Sequence, residues 1–245
     1  MPTYRDRAVV IRKVDYGEAD RIYTLLTSEH GKVGVIARGV RRSKSRLAAG
    51  LELFSQIDVQ LALGRNLDVV TQVVRLPVPH LPADLQYTTA ASLIAEIADR
   101  VLEDNTPSPE IYQLVSRSLL ELSTIDDPRP TLAWFEVQAL LRLGYAPLVL
   151  DCASCHRALP PEPAPFTHEV GGFLCVSCAR PGMRRVSVAA IKVLRVMVGG
   201  DAELYRRLRL EGELLAELER VLEVQLEHHL DRQLKSLRLL QQLRG

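Results

Sequence analysis

Residues 57–75 read IDVQLALGRNLDVVTQVVR, and this stretch decides the first half of the fold. Two runs rich in β-branched residues, Ile57–Leu63 and Leu67–Arg75, flank Gly64-Arg65-Asn66, which is hairpin-turn chemistry. Working back toward the start, Ala8–Val14, Tyr23–Thr27 and Lys32–Ala37 have the same character, bounded by Gly, Asp, Asn or Ser. Five short strands within residues 1–80 predict a small barrel of the oligonucleotide-binding (OB) type, with an SH3-like barrel as the structural rival.

Working forward, Leu76-Pro77-Val78-Pro79-His80-Leu81-Pro82 continues neither strand nor helix and reads as a linker. Beyond it the apolar period lengthens to that of a helix. Ala90, Leu93, Ile94, Ile97, Ala98, Val101 and Leu102 predict one apolar face, and Ile111, Leu114, Val115, Leu119 and Leu122 a second. A third helix is predicted from about Pro130 to Leu143, with Gly144 as its C-cap. Helices resume near Ser187, and a leucine stripe from Leu214 to Leu237 predicts one long final helix over residues 211–243. The expected domains are thus an OB barrel over 1–80 and an all-α domain over 81–245, an α+β multidomain chain.

Inserted in the helical half, at about 150–182, are Cys152-x2-Cys155 and Cys175-x2-Cys178 with nineteen residues between the pairs. The chain has four cysteines in all. That spacing is the one a four-thiolate zinc site uses, and four thiolates leave no open position for water. One structural Zn2+ is therefore expected, as a brace rather than a catalyst; two disulfides or unrelated reduced thiols are the plainer alternatives. The segment carries five prolines between Pro160 and Pro181 and leaves little room for regular structure.

The net charge of +1 hides an asymmetry. Residues 1–80 hold thirteen Lys and Arg against eight Asp and Glu, while the remainder holds eighteen against twenty-two. Arg38, Arg41, Arg42, Lys44 and Arg46 fall within nine residues free of acids, between the third and fourth predicted strands. A mobile, solvated loop of this composition can reach successive phosphates. Lys13, Arg21 and Lys32 are candidate extensions. Tyr4, Tyr16, Tyr23 and Phe54 are the barrel's only rings for stacking, and some must fill its interior, which favours backbone electrostatics over base reading.

Enzymatic motifs are absent from the sequence. Gly31-Lys32-Val33 is no phosphate-binding loop, since Leu26 stands where the first glycine belongs. Asp15, Glu18 and Asp20 around Gly17 suit turn and capping duty better than magnesium. Adjacent His228 and His229 point about 100° apart on a helix and read as surface or boundary residues. No secretory leader or membrane-length apolar run is visible, which implies a cytoplasmic protein, and nucleoid association is expected if the basic loop binds DNA.

The order of these pieces resembles the bacterial RecO family. Tyr16-Gly17-Glu18-Ala19-Asp20, Thr27-Ser28-Glu29-His30-Gly31-Lys32 and Ala37-Arg38-Gly39-Val40-Arg41-Arg42-Ser43-Lys44-Ser45 are similar to the family's barrel signature. Gly144-Tyr145-Ala146-Pro147-Leu148 leading into the first Cys pair, with Gly171-Gly172-Phe173 before the second, is similar to its metal-binding segment. The resemblance implies an OB-fold, a helical domain with an embedded zinc element, and no catalysis. It also implies a recombination mediator that binds single- and double-stranded DNA and anneals complementary strands. Its partners would be RecR, the acidic tail of single-stranded-DNA-binding protein (SSB) and, indirectly, RecA. Arg38, Arg41, Arg42 and Lys44 lie on the matched motif, whereas Arg46 rests on charge and proximity. A zinc-containing RNA-binding regulator of transcription or translation is the alternative function.

Overall fold

The computed structural model describes residues 2–43, 45–230 and 234–244. Its residues gather into two compact units, Met1–Asp126 with Arg238–Gly245, and Asp127–Leu237.

The first unit is built on β1 (Thr3–Tyr16), β2 (Asp20–Thr27), β3 (Lys32–Ala37), β4 (Gln56–Ala62) and β5 (Asp68–Arg75). They close into a barrel in the order β1-β2-β3-β5-β4. β1 makes closure possible by serving two neighbours: Thr3–Val9 pairs with β4 and Ala8–Tyr16 with β2. A register shift between Val10 and Arg12 bends it between the two tasks. Parallel pairing of Val35 with Asp68 and of Ile36 with Val69 completes the circuit. This is the OB arrangement, and the SH3-like rival is set aside.

Ala8, Val10, Tyr23, Leu25, Val33, Val35, Ile57, Val59, Leu61 and Val70 fill the interior. Val9, Ile11 and Leu26 are also buried, yet they stand outside that cluster. Helix α1 (Leu85–Val101) packs against β1, so β1 is covered on its outer side too. This explains the unbroken apolar run from Ala8 to Ile11, where a half-exposed strand would alternate. α1 starts at Asp84, whose side chain accepts from the Gln86 N–H, and buries Ala90, Leu93, Ile94 and Ile97. α2 (Pro109–Leu122) packs on α1. Gly31 permits the β2–β3 turn: its φ is +73°, and a Cβ there would stand 2.1 Å from the Thr106 carbonyl oxygen.

In the second unit α3 (Pro128–Arg142), α4 (Val188–Val198), α5 (Ala202–Arg207) and α6 (Gly212–His229) form a helical core. α3 is capped by Asp127 at its start, and Gly144 beyond its end takes φ +79°. Gln138, buried in α3, donates to the Met197 carbonyl at 2.7 Å, and the Tyr205 hydroxyl donates to the Pro130 carbonyl at 2.8 Å. These bonds tie α4 and α5 to α3.

The Cys segment holds the little regular structure expected of it: β6 (Ala164–Thr167) and β7 (Gly172–Phe173), with β8 (Arg185–Val186) just beyond, form a small sheet in the order β7-β6-β8. Proline is tolerated in the middle strand because Pro165 contributes only its carbonyl, which accepts from the Leu174 N–H at 3.0 Å. One expectation needs correction: the final helix is not continuous. α6 ends where the Leu230 N–H bonds back to the Leu226 carbonyl, and α7 (Lys235–Arg244) is a separate helix. Leucines spaced every four residues advance about 40° around a helix per step, so one straight helix cannot keep them on one face. In α6 the buried face is instead Leu215, Leu218, Val221, Leu222, Gln225 and Leu226.

Candidate nucleic-acid surface and metal centre

The segment after β3 begins as a turn, with the Arg42 N–H donating to the Gly39 carbonyl at 3.1 Å. It is pegged rather than mobile. Val40 is fully buried in the barrel core, and Leu47, Ala48, Leu51 and Leu53 pack against the same core, so this segment stoppers one end of the barrel. Pinned at those points, it turns Arg38, Arg41, Arg42 and Arg46 out to solvent. Arg38, Arg42 and Arg46 make no ion pair among the described residues. Lys44 lies outside the described residues.

The acids of the β1–β2 turn hold this segment in place, a role more specific than the turn and capping duty expected of them. Asp20 accepts from the Gly39 N–H at 2.7 Å. The Arg41 N–H donates to the Ala19 carbonyl at 2.9 Å, and its guanidinium reaches the Gly17 carbonyl at 3.3 Å and the Asp15 carboxylate at 3.6 Å. Asp15 also accepts from Arg21 at 2.6 Å. The Arg21 hydrogen bond holds the Asp15 carboxyl below the usual carboxylate range, a slight burial opposes this, and Arg41 adds to the lowering. The basic loop is thus strapped across the tip of the β1–β2 hairpin.

The flanking candidates fare differently. Lys13 pairs with Glu52 at 3.1 Å, a contact within the barrel's own surface. Arg21 is engaged with Asp15. Lys32 is withdrawn from solvent: its ammonium donates to the Asp99 carbonyl at 2.7 Å and pairs with the Asp99 and Asp104 carboxylates at 3.4 and 3.2 Å. It fastens α1 to the barrel and faces no open surface. A groove of about 960 Å³ beside β4 and α2 is lined by Arg5 and Arg7 but also by Asp6, Glu29 and Asp58, so its charge does not favour phosphate.

In the second unit the four thiols converge. All four sulfurs lie within 4.8 Å of one another, and Cys155 Sγ is 3.7 Å from Cys175 Sγ. A disulfide would need about 2.05 Å. A tetrahedron of thiolates about 2.3 Å from a central ion has edges of about 3.8 Å, so the donor set fits one metal ion. The backbone builds the cradle. The His156 N–H bonds to the Cys152 carbonyl at 2.8 Å with His156 at φ +59°, which folds the first pair into a tight knuckle. The Ala179 N–H bonds to the Cys175 carbonyl at 2.9 Å and does the same for the second pair. The Cys175 N–H points at Cys152 Sγ at 3.3 Å, and the Ala153 N–H donates to the Phe173 carbonyl at 2.8 Å, joining one knuckle to the other's strand.

The electrostatics favour the thiolate at Cys155 and Cys152. Arg157 donates to Cys155 Sγ at 3.4 Å and brings that thiol down to about 6. Burial works against the Cys152 thiolate, but N–H groups directed at its sulfur outweigh it and lower its pKa. Cys178 is pushed up to about 11, chiefly by its hydrogen bond with Cys155. Cys152, Cys155, Cys175 and Cys178 are the residues that would hold a divalent cation, which would offset the negative charge gathered by four thiolates. The chain's histidines stay outside this cluster. His229 stacks on Tyr145 at 4.2 Å and takes a hydrogen bond from Gln225, so it is a packed boundary residue.

An OB barrel bearing an exposed cationic loop, followed by helices and a four-thiolate cluster, defines a class of nucleic-acid-handling proteins in broad terms. Comparison with known proteins makes it particular. The family model for the recombination protein O N terminal matches residues 1–76, and that for the recombination protein O C terminal matches residues 82–238. Among curated relatives, the DNA repair protein RecO of Cutibacterium acnes is 38% identical over 254 residues, covering 98% of this chain and all of the relative. The DNA repair proteins RecO of a Roseiflexus species and of Desulfitobacterium hafniense are 37% and 34% identical, covering 98% and 96% of this chain and 86% and 88% of the relatives. The chain belongs to the RecO family. No helix among the described residues is long and apolar enough to cross a membrane.

Proposed function

We propose that the chain is a non-enzymatic recombination mediator of the cytoplasm and nucleoid. In this reading it binds single- and double-stranded DNA, anneals complementary strands and, with RecR, helps load RecA onto DNA coated with SSB, whose acidic tail it contacts. The observation that carries the reading is the presentation of Arg38, Arg42 and Arg46, exposed and without ion pairs among the described residues, on a loop strapped to an OB barrel. Annealing requires no covalent chemistry. It requires two polyanions to approach, and phosphates about 7 Å apart repel by roughly 0.6 kcal/mol per pair even in water. Arginines that lie along the backbone reduce this repulsion while leaving base edges free to pair. Arg41 contributes at reduced strength because Asp15 competes for it, and Lys44 shares their basic run of sequence. Lys13 and Arg21 extend it at its edge, whereas Lys32 does not take part.

The metal is zinc, one structural ion held by Cys152, Cys155, Cys175 and Cys178. Bound there, it supplies a cross-link between the two knuckles in place of a larger core. Fluorescence anisotropy of labelled single- and double-stranded oligonucleotides tests the reading. Salt-sensitive binding of both is expected, and no binding of either by folded, zinc-loaded protein overturns it.

A further inference from the structure

The barrel's four aromatic rings have separate fates. Tyr23 is buried in the core. Tyr4 donates to Asp68 at 2.6 Å and lies against the His30 ring at 4.4 Å. Phe54 is half-buried. Tyr16, in contrast, is 56% exposed at the end of β1, and Val14, two residues earlier on the same face, is 46% exposed. Strand register says what lies beside them. Tyr16 is paired with Asp20, Val14 with Ile22, and Ile22 in turn with Ile36. Arg21 pairs with Ala37, so Arg38, one residue past β3, comes into line with Asp20 and Tyr16.

The outer face of β1–β2–β3 therefore ends in a row: an exposed phenol ring, a carboxylate turned to the Gly39 N–H, and an exposed guanidinium with no ion pair among the described residues. Two strand spacings, about 10 Å, separate the first from the last. The Arg41 guanidinium stands on the other side of the same hairpin tip, on Asp15 and Gly17, the two residues flanking Tyr16. Counted over the described residues of 15–21 and 38–46, three acids stand against five bases, so this part of the surface is net cationic.

We propose that Tyr16 is the base-stacking residue of a single-strand track on this face. Its ring holds one unpaired base, Val14 and Ile22 extend the apolar footing beneath the neighbouring base, and Arg38 and Arg42 hold the phosphates alongside. The inference rests on the DNA-binding reading above and refines it. The basic loop alone treats single strands and duplexes alike, since both offer phosphates. A ring can stack only on a base that is not already stacked and paired, so Tyr16 makes the surface prefer single strands. A phenol ring reads no base edge, so the preference carries little sequence specificity and leaves the base free to find its complement.

The test is a single-stranded oligonucleotide carrying 2-aminopurine, with wild type, Tyr16→Ala and Tyr16→Phe, and a duplex of equal length as control. Stacking by the wild type quenches the probe. The expected result is that Tyr16→Ala abolishes the quench and weakens single-strand binding about tenfold. Its salt slope and duplex affinity are unchanged, and Tyr16→Phe behaves as wild type. Tyr16→Ala that binds and quenches like wild type overturns the stacking role and leaves the loop reading standing. A wild type that binds no DNA overturns both.

Discussion

Replacing Arg38, Arg42 and Arg46 together with Ala isolates the electrostatics of the loop. Each side chain is exposed and lacks an ion pair among the described residues, so none competes internally for its charge and none supports the fold. On single strands each phosphate contact contributes about 0.7 to the slope of log affinity against log salt, so three contacts contribute about 2. Between 50 and 200 mM salt, a fourfold change, the wild type should lose roughly 16-fold more affinity than the triple variant. Arg41→Ala should move the slope by less than 0.7, because the released Asp15 and the lost bonds to the hairpin tip confuse its effect with that of the brace. Fluorescence anisotropy titrations at four or five salt concentrations read both quantities. An unchanged slope in a folded triple variant removes this loop from the DNA-binding surface, however much absolute affinity falls.

Other consequences bear on the supports of that surface. Asp20→Ala removes the acceptor that holds the Gly39 N–H, a charge-assisted bond of about 1.5–3 kcal/mol, so trypsin should cut within Arg38–Arg46 about tenfold faster; unchanged cleavage would mean Val40 and Leu51 suffice to pin the loop. Cys175→Ser should abolish zinc content measured by atomic absorption and destabilise the second unit by about 3 kcal/mol, the loop-closure contribution of a cross-link of this length. An unaltered calorimetric transition contradicts the brace. Asp6 is buried, which alone would raise its pKa, but bonds from His30, Ser28 and the Glu29 N–H outweigh burial and lower it. A lowered carboxylate contributes stability above its unfolded pKa of about 4 that vanishes as pH falls through the folded value. Asp6→Asn should therefore lower the melting temperature at pH 7, and the difference should close at acid pH; a constant difference from pH 7 to pH 3 contradicts it.

The sequence was most legible where one period governed a segment. The predicted cores of all five strands and of α1, α2 and α3 sit within the observed elements, because β-branched runs and helical faces are local signals. β1 proved longer than Ala8–Val14 because its ends carry polar residues, Arg5, Asp6 and Arg7, that only pairing with β4 explains. The break between α6 and α7 was hidden in a leucine spacing that reads as a stripe but drifts around the helix. Thiolate spacing announced the cluster of four sulfurs outright. The charges were only half legible. Composition located the loop, but nothing local showed that Lys32 meets Asp99, sixty-seven residues away, or that Asp20 reaches across to Gly39. Tyr16 could be singled out as a ring but not as an exposed one, since exposure at a strand end depends on what packs over it.

The most direct test of the central claim is strand annealing. Two complementary oligonucleotides, each coated with cognate SSB, are mixed with wild-type protein or with the Arg38, Arg42 and Arg46 triple variant, and duplex formation is followed by energy transfer at several salt concentrations. The account predicts that the wild type accelerates annealing, that the acceleration fades as salt rises, and that the triple variant loses most of it. Equal acceleration by both proteins, or none by folded, zinc-loaded wild type, contradicts the account.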